Sequence, residues 1–205
     1  MVMKLKNIIE RIVGNDLLHL KFLNTLSFME NCGARKISSF EDPWTVNTMV
    51  LKHAAEEHRH AYYLKKQLTK IVPGTAISFR PTHLIAPLES RFYLNRLDVL
   101  TSRYLKNELM VRGRDLAYAA YLFVTYAIEL RADSLYPLYQ QALTQAASRV
   151  TVKSIMLEEA GHLQEMLAQL SAFSPDWSTH AARIVAIENE LFDKWLLGMQ
   201  EEICQ

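Results

Sequence analysis

The chain has 205 residues, half of them apolar and 22% charged, with only six glycines and six prolines. This composition describes a single folded domain with a proper core, excludes a disordered or fibrous chain, and disfavours an all-β sandwich, which needs a turn every dozen residues or so. A formal net charge of +1 gives no global pull toward nucleic acid or an acidic membrane surface. The two cysteines, Cys32 and Cys204, lie at opposite ends of the chain without any C-x-x-C pair, so a disulfide framework and a thiolate metal cage are both excluded and a reducing, cytoplasmic location is expected. Residues Met1 to Gly14 carry Lys4, Lys6, Glu10 and Arg11 and do not form the unbroken apolar stretch of a signal peptide. The longest uncharged apolar-rich run, Leu116 to Ile128, falls short of the roughly 18 to 20 residues that span a bilayer, and no membrane segment is expected.

Taken in order, the elements are long helices. Asn15-Asp16 can cap a first helix in which Leu20, Leu23, Leu26 and Met29 recur at helical spacing as far as about Ile37. Asp42-Pro43 reads as the start of a second, because a carboxylate satisfies free N–H groups and proline costs nothing at the first helical position. That helix runs to about Ile71, where Val72-Pro73-Gly74 stops it. Thr75 to Leu88 is irregular, with Pro81 and Pro87, and leads to a basic amphipathic helix from Glu89 to about Glu108; together they form a crossover. A third long helix is expected from about Arg114 to Leu143, kinked at Pro137 where a backbone donor is missing, and a fourth from about Ser148 to Ala172. A last amphipathic helix, Ser178 to about Met199, carries Ile184, Ile187, Leu191 and Trp195 on one face. The fold class read from this pattern is all-α.

Two of these helices carry the same chemistry. Glu57-His58-Arg59-His60 and Glu159-Ala160-Gly161-His162 are Glu-x-x-His steps in mid-helix, and a spacing of three puts both side chains on one face, able to bind one metal centre. Each step follows a helix with a lone glutamate on its apolar face: Glu30, four residues after Leu26, and Glu129, seven after Leu122. If each pair of helices is antiparallel with its ligands at one height, the turn must lie midway between them. The midpoint of Glu30 and Glu57 falls at Asp42-Pro43, and that of Glu129 and Glu159 at residue 144, near Ala147-Ser148.

This pattern resembles the ferritin-like di-iron carboxylate superfamily, whose ligand set is a Glu from each of two helices and Glu-x-x-His from the other two. The resemblance covers about residues 15–172 of a single domain, 1–205, and leaves the C-terminal helix, about 178–199, outside. It implies a four-helix bundle with a long crossover, in which Glu30 and Glu129 are terminal ligands, Glu57 and Glu159 bridge two metals, and His60 and His162 bind one metal each. Two divalent ions would balance four carboxylates that an apolar bundle could not otherwise hold, and imidazole with carboxylate suits two Fe ions, with Mn or Zn as other occupants. The plainer alternative makes Glu30 and Glu129 buried salt-bridge partners and the two histidines core residues.

The surrounding residues divide less sharply. His53, on the face of Glu57 and His60, reads as a further ligand, an outer hydrogen-bond donor or a satisfied core histidine. Asp133 reads either as the partner of a ligand imidazole or as a surface group. Tyr126 and Tyr118 lie on the face of Glu129, and Tyr126 is the one candidate catalytic tyrosine, with helix core as the alternative. Glu56, Glu158 and His58 read as neighbours on a polar face, outside the ligand set. The basic residues Arg91, Arg96, Arg103, Lys106, Arg112 and Arg114 suit an anionic partner or a solvated face.

The absence of paired C-x-x-C motifs excludes a rubrerythrin-type tail, and the symmetric set looks more like the superfamily's O2-activating oxidases and hydroxylases than a cage ferritin. The resemblance therefore implies an oxidase or hydroxylase that takes O2 and a small apolar organic substrate; an electron-donor protein and a homodimer are compatible with it. The alternatives are a ferroxidase without organic substrate and a metal-free helical interaction domain.

Overall fold

The computed structural model describes residues 2–40, 44–45, 47–75 and 77–204. The described residues are all-helical: α1 (Val2–Val13), α2 (Asp16–Phe40), α3 (Thr48–Gln67), α4 (Pro87–Glu108), α5 (Gly113–Gln145), α6 (Lys153–Phe173) and α7 (Trp177–Ile203), with two short 3₁₀ turns, Leu68–Lys70 and Pro81–His83. None of the helices is long and apolar enough to cross a membrane.

α2 packs along α3 and α5 along α6. Both pairs are antiparallel. Lys65 reaches Asn24 Oδ1 at one end of the first pair, and Gly33 faces Glu57 farther along it. In the second pair, Tyr118 donates to Gln169 while Gln140 Oε1 accepts from the backbone N–H of Val152. The proposed Asp42-Pro43 start lies outside the described residues. The described α3 begins at Thr48, where the Asn47 side chain accepts from the N–H groups of Met49 and Val50 and so satisfies two otherwise free donors.

Three helices lie outside these two pairs. α1 occupies the N-terminal segment to which the sequence pattern had assigned no element. Its Leu5, Ile8, Ile9 and Ile12 form a buried stripe against α2, α5 and α7, while its charged residues face outward. α4 and α7 pair with each other through Ser90 and Trp195, whose indole N–H donates at 2.8 Å, and through Tyr104 and His180 at 3.0 Å. The crossover is pinned to α2: the Asn24 amide donates to the carbonyls of Ser78 and His83, and Thr25 Oγ1 accepts from Ile85 N–H. These bonds serve backbone groups that an irregular buried segment would otherwise leave unpaired.

Three helix boundaries differ from those the sequence pattern predicts. α5 continues unbroken through Pro137 to Gln145, and α6 starts at Lys153 rather than Ser148. The residues between them turn through Ala147 at φ 49°, and Ser148 N–H returns to the Leu143 carbonyl, a closure that ends a helix in the left-handed region. α7 runs from Trp177 to Ile203, beyond the expected Met199. At the centre of the core Phe22 meets Tyr139 edge-on and stacks on Trp195, and all three are fully buried.

Candidate metal centre

The α2–α3 and α5–α6 pairs bring six side chains to one place. Donor atoms of Glu30, Glu57, His60 and Glu159 lie within 4.8 Å of one another, as do those of Glu57, Glu129, Glu159 and His162. The two groups share Glu57 and Glu159. Every residue that the Glu-x-x-His pattern and the two lone glutamates singled out is therefore in the cluster, and the shared pair is the one to which the resemblance assigned the bridging role.

The electrostatics show why protein groups alone hold this cluster poorly. Glu129 and Glu159 are 3% and 5% exposed, and both imidazoles 2%. Burial, together with the neighbouring carboxylates, pushes Glu57 and Glu129 well above the usual carboxylate range. Burial would raise Glu159 as well, but its close contacts with Glu129 and with the imidazoles of His162 and His60 hold it below that range. For the imidazoles burial acts downward and the carboxylates outweigh it, so that His60 is raised and His162 reaches about 11. Protons thus carry the positive charge that the carboxylates need.

Three buried donor atoms in the cluster have no hydrogen-bond partner: Nδ1 of His60, Nδ1 of His162 and Oε2 of Glu129. His60 Nδ1 lies 3.1 Å from Glu159, and His162 Nδ1 3.4 and 3.5 Å from Glu159 and Glu129, close but out of hydrogen-bonding alignment. The opposite ring nitrogens are well placed: Nε2–H of His60 donates to Glu158 at 2.8 Å and that of His162 to Glu56 at 2.8 Å. A carboxylate on Nε2 fixes the proton there and turns the Nδ1 lone pair into the cluster, as a ligating imidazole requires. Lone pairs without hydrogen bonds, converging with carboxylates and without thiolate, fit a pair of hard or borderline divalent ions.

These contacts correct the reading of Glu56 and Glu158. Neither is an idle surface neighbour: each crosses between α3 and α6 to hold the imidazole that the other helix brings to the cluster. Arg59 ties them together, forking onto Glu158 at 2.6 and 3.0 Å and lying 3.7 Å from Glu56. His58 is exposed, as a polar-face residue should be. Asp133 is exposed and holds neither imidazole. His53 is a satisfied buried histidine, bonded to Tyr121 OH at 2.7 Å and Glu165 at 2.8 Å, with its ring against that of His162.

The tyrosine at the cluster is not Tyr126, whose ring meets Trp177 edge-on, nor Tyr118, which stacks on Phe40. It is Tyr136, whose hydroxyl donates to Glu30. Tyr136 stands seven residues after Glu129, two turns along the same face, so the pattern that singled out the glutamate also contained this residue.

A cavity of about 360 Å³ reaches the cluster from one side. Its walls come from α2, α4, α5 and α7, with Glu57 as the single residue from α3 and none from α6. Leu26, Ile37, Val124, Ile128, Leu135 and Phe192 make it mostly apolar. Glu30 and Glu57 are half-buried because the cavity touches them, although both lie deep among the helices, whereas the α3–α6 side is closed by the Glu56–Arg59–Glu158 clasp. No family model, no curated protein and no solved structure matches this chain.

Proposed function

We propose that the chain is a ferritin-like di-iron carboxylate protein that activates O2 to oxidise or hydroxylate an organic substrate. The observation that carries this reading is the pair of overlapping four-residue groups that share Glu57 and Glu159 and include three partnerless buried donor atoms. In this reading Glu57 and Glu159, common to both groups, would be shared by two Fe ions, Glu30 and His60 would hold one of them, and Glu129 and His162 would hold the other. The two ions supply the redox chemistry toward O2, with charge balanced by the four carboxylates. The protein's part is positional. Tyr136 fixes the free carboxylate rotamer of Glu30, Glu56 and Glu158 fix the two rings, and Arg59 neutralises the outer carboxylates so that their charge does not weaken the inner ones. The apolar cavity beside Glu30 and Glu57 provides a dry place for an organic substrate, which favours an oxidase over a ferroxidase that handles iron alone.

The test is anaerobic loading with Fe(II), metal analysis, and absorption and O2-uptake measurements after exposure to O2. Two irons per chain and O2 consumption are expected. A chain that binds no metal is instead a helical interaction domain, and O2 uptake that ends with iron oxidation and never depends on an organic compound identifies a ferroxidase.

A further inference from the structure

α4 has two faces with different surroundings. Ser90, Tyr93, Leu94, Leu97, Thr101 and Leu105 are buried against α2, α5 and α7. On the opposite side Leu88, Phe92, Arg96, Val99, Arg103 and Lys106 follow one another at steps of three or four, which keeps them in one stripe about 27 Å long at 1.5 Å per residue. All six are exposed, the apolar members at 58% for Leu88, 42% for Phe92 and 47% for Val99.

The stripe carries one sign of charge. The carboxylates of α4 lie elsewhere: Asp98 holds Lys36 of α2 at 2.8 Å, Glu89 lies against Gly198 of α7, and Glu108 is the last residue of the helix. Among the described residues Arg96, Arg103 and Lys106 have no carboxylate partner. α7, beside α4, exposes Arg183 and Lys194 together with Glu190, Asp193 and Glu201, so its own surface is close to neutral. The Arg96 guanidinium carbon lies 5.4 Å from the centre of the Phe92 ring, and cation and apolar surface therefore occur in the same place.

Few occupants can use this mixture. A second copy of the chain, stripe on stripe about a two-fold axis, would bring six cations and no carboxylate from the two stripes into one interface, where each loses water without gaining a counter-ion. A nucleic acid would use the cations and leave Leu88, Phe92 and Val99 in water. A protein partner keeps apolar contacts at the centre and charges at the rim, whereas Arg96 stands between Phe92 and Val99. A bilayer surface takes both kinds at once, because headgroups and acyl boundary adjoin: long cationic side chains reach the phosphates while the apolar ones sit deeper. We infer that α4 docks the chain, through this stripe, on a membrane surface bearing anionic phospholipid, with the helix lying along the surface. The docking rests on α4 alone and not on the di-iron reading.

Sedimentation of the full chain with vesicles tests it, using phosphatidylcholine alone and phosphatidylcholine with about 30% phosphatidylserine, at about 50 and about 300 mM salt. Saturable binding to the anionic vesicles is expected at low salt, and at least tenfold weaker binding both at high salt and to phosphatidylcholine alone. Arg96→Gln with Arg103→Gln should weaken binding about thirtyfold, and Leu88→Ser with Phe92→Ser at least tenfold. Lys66→Gln with Lys153→Gln removes the same charge from exposed positions on α3 and α6 and should leave binding unchanged. All of these positions are exposed, and matched thermal melts establish that each variant is folded. No binding to the anionic vesicles, equal binding to both kinds, an unaltered affinity in either α4 variant, or an equal loss in the α3 and α6 variant overturns the proposal. Soluble polyglutamate bound as tightly as the anionic vesicles also overturns it and assigns the stripe to an acidic protein.

Discussion

If metal replaces protons in the cluster, binding must depend steeply on pH. At neutral pH the metal-free cluster holds up to four displaceable protons, one each on Glu57, Glu129, His60 and His162, all groups whose affinity for protons is raised by their surroundings. Each proton released adds about 1.4 kcal/mol of binding free energy per pH unit, so four add about 5.6 kcal/mol for the two ions together, or about a hundredfold in affinity per ion. Titration with Mn(II) or Zn(II), which avoids oxidation, in buffers of different ionisation enthalpy at pH 6, 7 and 8 counts the protons. The same shifts set the stability of the metal-free chain. A raised group contributes stability that is complete below its unfolded value, near 4.5 for glutamate and 6.5 for histidine, and is lost as pH rises through its folded value. Glu159, shifted downward, contributes stability above about pH 4.5 that stays constant across this window. Between pH 5 and 6.5 the buried His19 and His53, both lowered by burial, act in the opposite sense; the metal-free chain should therefore lose melting temperature from about pH 6.5 to pH 8, and the gap to the loaded chain should widen over that range. Release of fewer than two protons per ion pair, or an affinity flat from pH 6 to pH 8, would refute this account of the cluster.

Three further outcomes follow from the contacts. Glu57→Gln or Glu159→Gln should lower occupancy at both metal positions, whereas His60→Ala or His162→Ala should empty one more than the other; metal stoichiometry separates the two patterns. Arg59→Gln and Glu158→Gln should each weaken metal binding about 10- to 100-fold, the range for an outer partner of a ligand, with the exposed Asp133→Asn as the unchanged control; equal affinities in all three chains would show the clasp to be idle. Tyr136→Phe removes a buried donor to Glu30 and should cost about 1 to 3 kcal/mol of metal-free stability in urea unfolding, with weaker binding at the position Glu30 serves and without the lowered occupancy at both positions expected of Glu57→Gln.

The six clustered residues were legible because helical geometry is local: a spacing of three fixes a shared face whatever lies opposite, and the two lone glutamates interrupt apolar stripes. Glu56 and Glu158 were not legible in the same way. Each points about 100° away from its neighbouring ligand, toward what looks like solvent until the other helix is in place, and their roles exist only between α3 and α6. Tyr136 sat on the right face, but an aromatic residue on a core face has a packing explanation that spacing cannot remove. α1 was missed because Lys4, Lys6, Glu10 and Arg11 argued only against a leader sequence, while the stripe of Leu5, Ile8, Ile9 and Ile12 between them was the helix signal. The cavity depends on how α4 and α7 stand off from α2 and α5, which no single helix encodes.

The cavity draws almost nothing from α3 and α6, and the clasp draws nothing from α4 and α7. Mutational drift can therefore act on the two halves of the site separately. Substitutions at Leu94 or Val124 can reshape the cavity without moving either clustered imidazole, whereas the Glu56–Arg59–Glu158 contacts bear on both rings. Related chains could diverge widely in the shape of the cavity while the paired Glu-x-x-His steps stay fixed, and that divergence would begin on the walls contributed by α4 and α7.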